Sequence, residues 1–244
     1  LYLTREWIRN PARRAKCHVP EEIRYRTSAQ IANDLLLKDA DRFPHDWIIG
    51  DDEFGRPGWL RQTLDRRGEQ YLLDVPQNTL IRDLQAPPQR RKSRRGRARK
   101  NPFVKVRAWV DRQPASRWKH IHVRDGEKEP IELQAISVKV QARIGGRVGH
   151  EETLLATRTL SSSPEWHFYL GNPREEVTLE EMVRAGSQRH RIEETLQTGK
   201  GDAGMRHYEV RSWVGWHHHM TLSLLAQWFL VLEQRGAQKK YACL

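Results

Sequence analysis

Three residues of one predicted helix, Arg189, Glu193 and Lys200, are separated by four and then seven positions. At 3.6 residues per turn these offsets bring all three onto one face, a carboxylate flanked by two cations. Such a stripe suits phosphate chemistry. A carboxylate can hold a divalent metal ion, while neighbouring guanidinium and ammonium groups can contact the phosphate oxygens that the ion polarises. The same spacing also describes an ordinary surface helix with spaced ion pairs. A second candidate is Asp51, which follows the apolar run Trp47-Ile48-Ile49-Gly50 and opens the charged turn Asp51-Asp52-Glu53. In open α/β sheets ligand sites collect at the carboxyl ends of strands, where Asp51 would stand. As plain turn residues, Asp51 and Asp52 would instead both face solvent. Together, Asp51 and Glu193 are carboxylates from separate elements, as a two-metal site with ions ~3.5–4 Å apart requires.

The histidines offer less. His217, His218 and His219 are consecutive, and on a helix they point about 100° apart, so they cannot all grip one ion. His120 and His122 alternate on one strand face, but no Cys or third His stands at a ligand spacing. The sequence carries neither a nucleophile elbow nor a Gly-rich phosphate loop, which argues against a small-molecule hydrolase.

The elements that would position these groups read as alternating short strands and helices in the first third. Leu1, Leu3 and Trp7 suggest the end of a strand, and Ser28 caps a helix with Ile31, Leu35 and Leu36 on its apolar side. After the Trp47–Gly50 strand, a helix runs from Pro57 to about Gly68, and Tyr71-Leu72-Leu73-Asp74-Val75 is the next strand. This rhythm predicts a partly parallel sheet covered by helices. From Gln85 to Asn101 the chain turns basic: Arg90, Arg91, Lys92, Arg94, Arg95, Arg97, Arg99 and Lys100 form a linker or exposed loop, either solvated or in contact with phosphates. Alternation then returns at Val104, Val106, Ala108 and Val110, at Ile131 to Val140, around Leu154 to Leu160 and at Trp166 to Leu170, a β-rich segment. Thr178 with Glu181 forms a capping box that starts a helix with Met182, Val183, Ile192 and Leu196 as apolar positions, running to about Gly199–Gly201. A last helix, Trp216 to Arg235, is apolar almost all round and is expected to pack on several sides.

With 244 residues and 37% hydrophobic content the chain can bury a core of one domain plus a sizeable insertion. Its 43 Lys plus Arg against 31 Asp plus Glu give a formal charge of +12, which favours polyanionic partners, nucleic acid first. Cys17 and Cys243 lie far apart without metal-type spacing, which fits a reducing compartment. The apolar run Leu222–Leu232 falls short of the ~20 residues that a spanning helix needs, so no membrane partner is expected.

Several of these features recur together in one family. The run Trp47-Ile48-Ile49-Gly50-Asp51 with Glu53-Phe54-Gly55, then Arg189-x-x-x-Glu193-x-x-x-x-x-x-Lys200, Tyr208-Glu209-Val210-Arg211 and Trp216-His217-His218-His219, resembles bacterial insertion-sequence DDE transposases. The likeness is closest to the branch with the signature Tyr-x-x-Arg-x-x-x-Glu-x-x-x-x-x-x-Lys. That resemblance implies an α/β fold, a ribonuclease H-like core with a β-rich insertion and C-terminal helices. The expected organisation is core over residues 1–84, basic linker and insertion over 85–172, helical core over 173–235 and a tail over 236–244. It implies Asp51 as the second catalytic Asp and Glu193 as the catalytic Glu, both ligands of two Mg²⁺ or Mn²⁺ ions, with Arg189 and Lys200 as supporting cations. DNA is the implied partner, both element ends and target, with the intact enzyme a homodimer in the bacterial cytoplasm at the nucleoid.

Two departures stand out. Gly186 occupies the position of the signature Tyr. The family's first Asp has no counterpart among Glu6, Glu21, Glu22, Asp34, Asp39, Asp41 and Asp46, none of which stands in an apolar strand. The expectation is a chain lacking about its first three core strands and therefore inactive alone. The competing expectation is a non-enzymatic basic nucleic-acid-binding protein, in which the basic segment and exposed aromatics do everything.

Overall fold

The structure, a computed structural model, describes residues 2–87, 101–126 and 129–241. The chain divides into two compact bodies, Ser28–Arg189 and Leu1–Thr27 with His190–Leu244.

The larger body begins with helix α3 (Ser28–Asp39), the two preceding helices belonging to the smaller body. Strand β1 (Ile48–Gly50), helix α4 (Asp52–Gly55), helix α5 (Gly58–Arg66) and strand β2 (Tyr71–Asp74) follow. Pro57 stands at the N-cap of α5, and the chain leaves it through Gly68, whose φ of +72° is a left-handed conformation that only glycine adopts without strain. β1 and β2 are parallel, Ile48 facing Tyr71 and Gly50 facing Leu73. The run Tyr71-Leu72-Leu73 is buried throughout because both faces of the sheet are covered here. Tyr71 and Leu73 pack with Leu60 and Leu64 of α5. Leu72 packs on the other side with Met182 and Val183 of helix α7 (Leu179–Ser187). The Thr178–Glu181 capping box that starts α7 is present, and the Thr178 backbone N–H and hydroxyl hold the Glu181 carboxyl below its ordinary pKa.

Beyond β2 the sheet is antiparallel: strands β3 (Leu80–Asp83), β4 (Val104–Lys105), β5 (Lys119–Arg124), β6 (Ile131–Ile144), β7 (Arg147–Thr159) and β8 (Trp166–Gly171). The order is β1-β2-β8-β7-β6-β3-β4, with β5 also paired to β6. The mixed sheet and C-terminal helices bear out an α/β class. The expected strand through Val110 is different, because after Lys105 the chain forms helix α6 (Val106–Val110). Val106, Trp109 and Val110 are spaced three and one apart, a helical face, and all three are buried against Ile81, Ile136 and Val138.

In the smaller body, the expected strand near Leu1–Trp7 is instead helix α1 (Arg5–Ile8), capped by Thr4, followed by helix α2 (Pro11–Lys16), which Asn10 caps with Pro11 in the first turn. The helix begun at Thr178 does not run on to Gly201. It stops at Gln188, and helix α8 (Arg189–Gly201) continues, with Ile192 and Leu196 exposed rather than in the core. Helix α9 (Trp213–Tyr241) is also less enclosed than its composition suggests: Ser223 and Gln227 are buried while Leu222, Leu225, Trp228 and Phe229 are exposed. Gln227 is fixed by a hydrogen bond from its amide to the Thr195 carbonyl of α8.

Candidate active site

The turn after β1 is built around two side chains. Asp51 caps α4, its Oδ1 accepting from the Glu53 N–H at 3.0 Å. Gly55, at the end of α4, lies so close to the end of β2 that a Cβ there would land on the Asp74 carbonyl oxygen. The lack of a side chain at 55 is what lets α4 rest on β2, and this contact brings the Asp51 turn beside Asp74. Both acids then stand at the carboxyl ends of adjacent parallel strands, where α/β folds place ligands.

A network below holds this arrangement. Arg61 of α5 is 2% exposed, donates to the Gly55 carbonyl and pairs with Glu152 of β7 at 2.7 Å. Glu152 also accepts from the Tyr71 hydroxyl at 2.9 Å. Burial, then the neighbouring Glu152 carboxylate, drive the Tyr71 pKa far above the usual phenol value, so the hydroxyl stays a donor.

Above these groups is an open cleft of about 420 Å³, lined by Asp51, Asp52, Asp74, Arg107, Trp166 and Arg189 among others. Asp74, only 13% exposed at its side chain, accepts from Arg189 at 3.3 Å and lies 3.5 Å from His167 Nδ1. Burial and the Asp74 charge raise the pKa of the adjacent Tyr169, an effect that Arg189 partly offsets. Gly186 faces that same ring: a Cβ at 186 would sit 3.3 Å from Tyr169 Cζ, so Tyr169 occupies the space into which a tyrosine at 186 would grow.

Of the residues singled out in the sequence, Asp51 and Arg189 thus line one cleft. Arg189, Glu193 and Lys200 all lie in α8, but Glu193 and Lys200 belong to the smaller body. The basic run Arg90, Arg91, Lys92, Arg94, Arg95, Arg97, Arg99 and Lys100 lies outside the described residues. His217 and His219 bond to the carbonyls of Trp213 and Gly204, and His120 and His122 stand near Glu132 and Asp125. Sequence reasoning missed Asp74, although an acid closing the apolar run Tyr71-Leu72-Leu73, in the strand that follows the one before Asp51, was a usable signal. It also missed Arg107 and Trp166, which no local pattern ties to Asp51.

A family model described as DDE superfamily endonuclease matches residues 1–130, which include the β1–α4–β2 unit and α6. The chain belongs to this family. No curated protein matches it. Membership in the DDE endonuclease family implies nuclease-type activity with DNA as substrate, in a superfamily that generally uses divalent metals. Among the described residues of this DDE endonuclease, however, no three His, Cys, Asp or Glu side chains converge as a metal site. The cleft acids are already engaged, Asp51 as a cap, Asp52 with Arg56 and Asp74 with Arg189. The described residues therefore do not by themselves complete a divalent-ion site. Among them, no helix is long and apolar enough to cross a membrane.

Proposed function

We propose that this DDE endonuclease is part of an insertion-sequence transposase of the Tyr-Arg-Glu-Lys branch, whose intact form cuts element ends and joins them to target DNA. Asp51 and Glu193 are its second and third catalytic carboxylates, Arg189 and Lys200 their supporting cations, and Mg²⁺ or Mn²⁺ the ions they serve. The intact enzyme works as a homodimer on DNA. The observation that carries this reading is the cleft at the carboxyl ends of β1 and β2, where Asp51 stands with an Arg189 guanidinium oriented by Asp74. A guanidinium beside a carboxylate in a cleft suits a phosphodiester, because the planar fork matches two phosphate oxygens.

The chain alone is inactive in this reading. Glu6, Asp34, Asp39 and Asp41 lie on helical segments, and Asp46 precedes β1, so none takes the strand position of a first catalytic Asp. Among the described residues β1 is paired only with β2. A plasmid-nicking assay in Mg²⁺ or Mn²⁺ is expected to show no metal-dependent nicking. Nicking that disappears in Asp51→Ala would overturn the inactivity. The second reading, a DNA-binding protein without catalysis, is favoured by the engagement of each cleft acid within the protein. It differs in giving Asp51 and Glu193 no role in DNA contact.

A further inference from the structure

The cleft has a second cationic wall. Arg107 stands in α6, whose start is tied to the cleft rim: Val106 N–H donates to the Thr79 carbonyl and Arg107 N–H to the Gln77 carbonyl, at 2.9 and 3.0 Å. The Arg107 guanidinium lies over the Trp166 ring, 4.3 Å from its centroid, and its Nε is 3.0 Å from Asp111. Trp166 is itself fixed, stacked on Phe168 and met edge-on by Trp118. A guanidinium resting on an immobilised indole has lost much of its freedom before any ligand arrives, so binding orders it little further.

The Asp111 partner does not saturate this cation. It is an (i, i+4) pair with side chains 38% and 52% exposed, a class of ion pair that contributes little net stability and exchanges readily for another anion. Asp74–Arg189 differs, because its carboxylate is mostly buried and serves to aim the cation. Two planar forks thus line a cleft that also holds Asp51. From this geometry we infer that Arg107 is a phosphate-contacting residue of the cleft and Trp166 its positioning residue, the ligand being a nucleic-acid phosphodiester. The inference rests on the reading of the cleft as the DNA site and adds to it a contact from outside the signature residues.

The test is fluorescence anisotropy of a labelled DNA duplex with the full chain in EDTA across a salt series. Arg107→Gln is expected to weaken binding severalfold and to lower the slope of log affinity against log salt by about 1, as loss of one phosphate contact does. Arg107→Lys keeps the charge and so the slope, but loses the fork and part of the affinity. Trp166→Leu weakens binding, and Trp166→Phe restores it. Arg143→Gln, whose guanidinium lies over Phe103, is the control and leaves the slope unchanged. An unchanged slope in Arg107→Gln with a reduced slope in Arg189→Gln overturns the inference while leaving the cleft as the DNA site. Unchanged slopes in both overturn the inference and the cleft reading together.

Discussion

Replacing Glu152 with alanine is expected to destabilise the fold by about 3–5 kcal/mol, the usual cost of stranding a buried charge. The carboxylate is buried, with Arg61 at 2.7 Å, and Arg61 is 2% exposed. Without Glu152, Arg61 keeps the Gly55 carbonyl as an acceptor but loses the carboxylate that balances its charge, and the Tyr71 hydroxyl is left with His150 Nε2 at 2.8 Å among the described residues. Denaturant unfolding checks this. The double variant Arg61→Met with Glu152→Leu should recover most of the loss, because the cost lies in the unpaired charge rather than in the pair's own contribution. A double variant as unstable as the single would show that the pair itself supplies the stability.

Gly55→Ala should also destabilise the fold, for a steric reason. The new methyl would collide with the Asp74 backbone carbonyl, and backbone cannot swing aside as a flexible side chain can. Overpacking of this kind costs roughly 1–3 kcal/mol or more. Any relief must lift α4 from the end of β2, which separates Asp51 from Asp74. The variant is therefore expected to lose stability in denaturant and DNA affinity together, whereas Gly68→Ala, strained only by its positive φ and with open space around it, should lose stability alone.

The parts of this site that local pattern governs were legible in the sequence. The runs Trp47–Gly50 and Tyr71–Val75 mark the two strands, and the rule for strand carboxyl ends points to Asp51. The Thr178–Glu181 capping box fixes the start of α7. Its end was not legible, since Arg189 to Gly201 continues the helical periodicity past the break at Gln188. Val104 to Val110 satisfies a strand period and a helical one at once, and burial of Val106, Trp109 and Val110 decides for the helix. What joins the cleft is non-local. Arg61 and Glu152 are 91 residues apart and Asp74 and Arg189 are 115 apart. The pairings β4–β3, β3–β6, β6–β7 and β7–β8 together bring Arg107 and Trp166 to the same place, and no spacing rule reaches across them.

The most direct measurement is DNA affinity in EDTA for Asp51→Asn against the parent chain, with Glu151→Gln as control. Asn preserves the cap that Asp51 supplies to α4, so the change removes charge and little else. Glu151 is an exposed acid on β7, five residues, or roughly 17 Å, from Ala156, which pairs with Phe168 at the cleft. If phosphodiesters lie in this cleft, Asp51→Asn binds DNA severalfold more tightly and Glu151→Gln does not. Equal affinity for all three proteins, or equal tightening by both substitutions, would contradict the placement of DNA at Asp51.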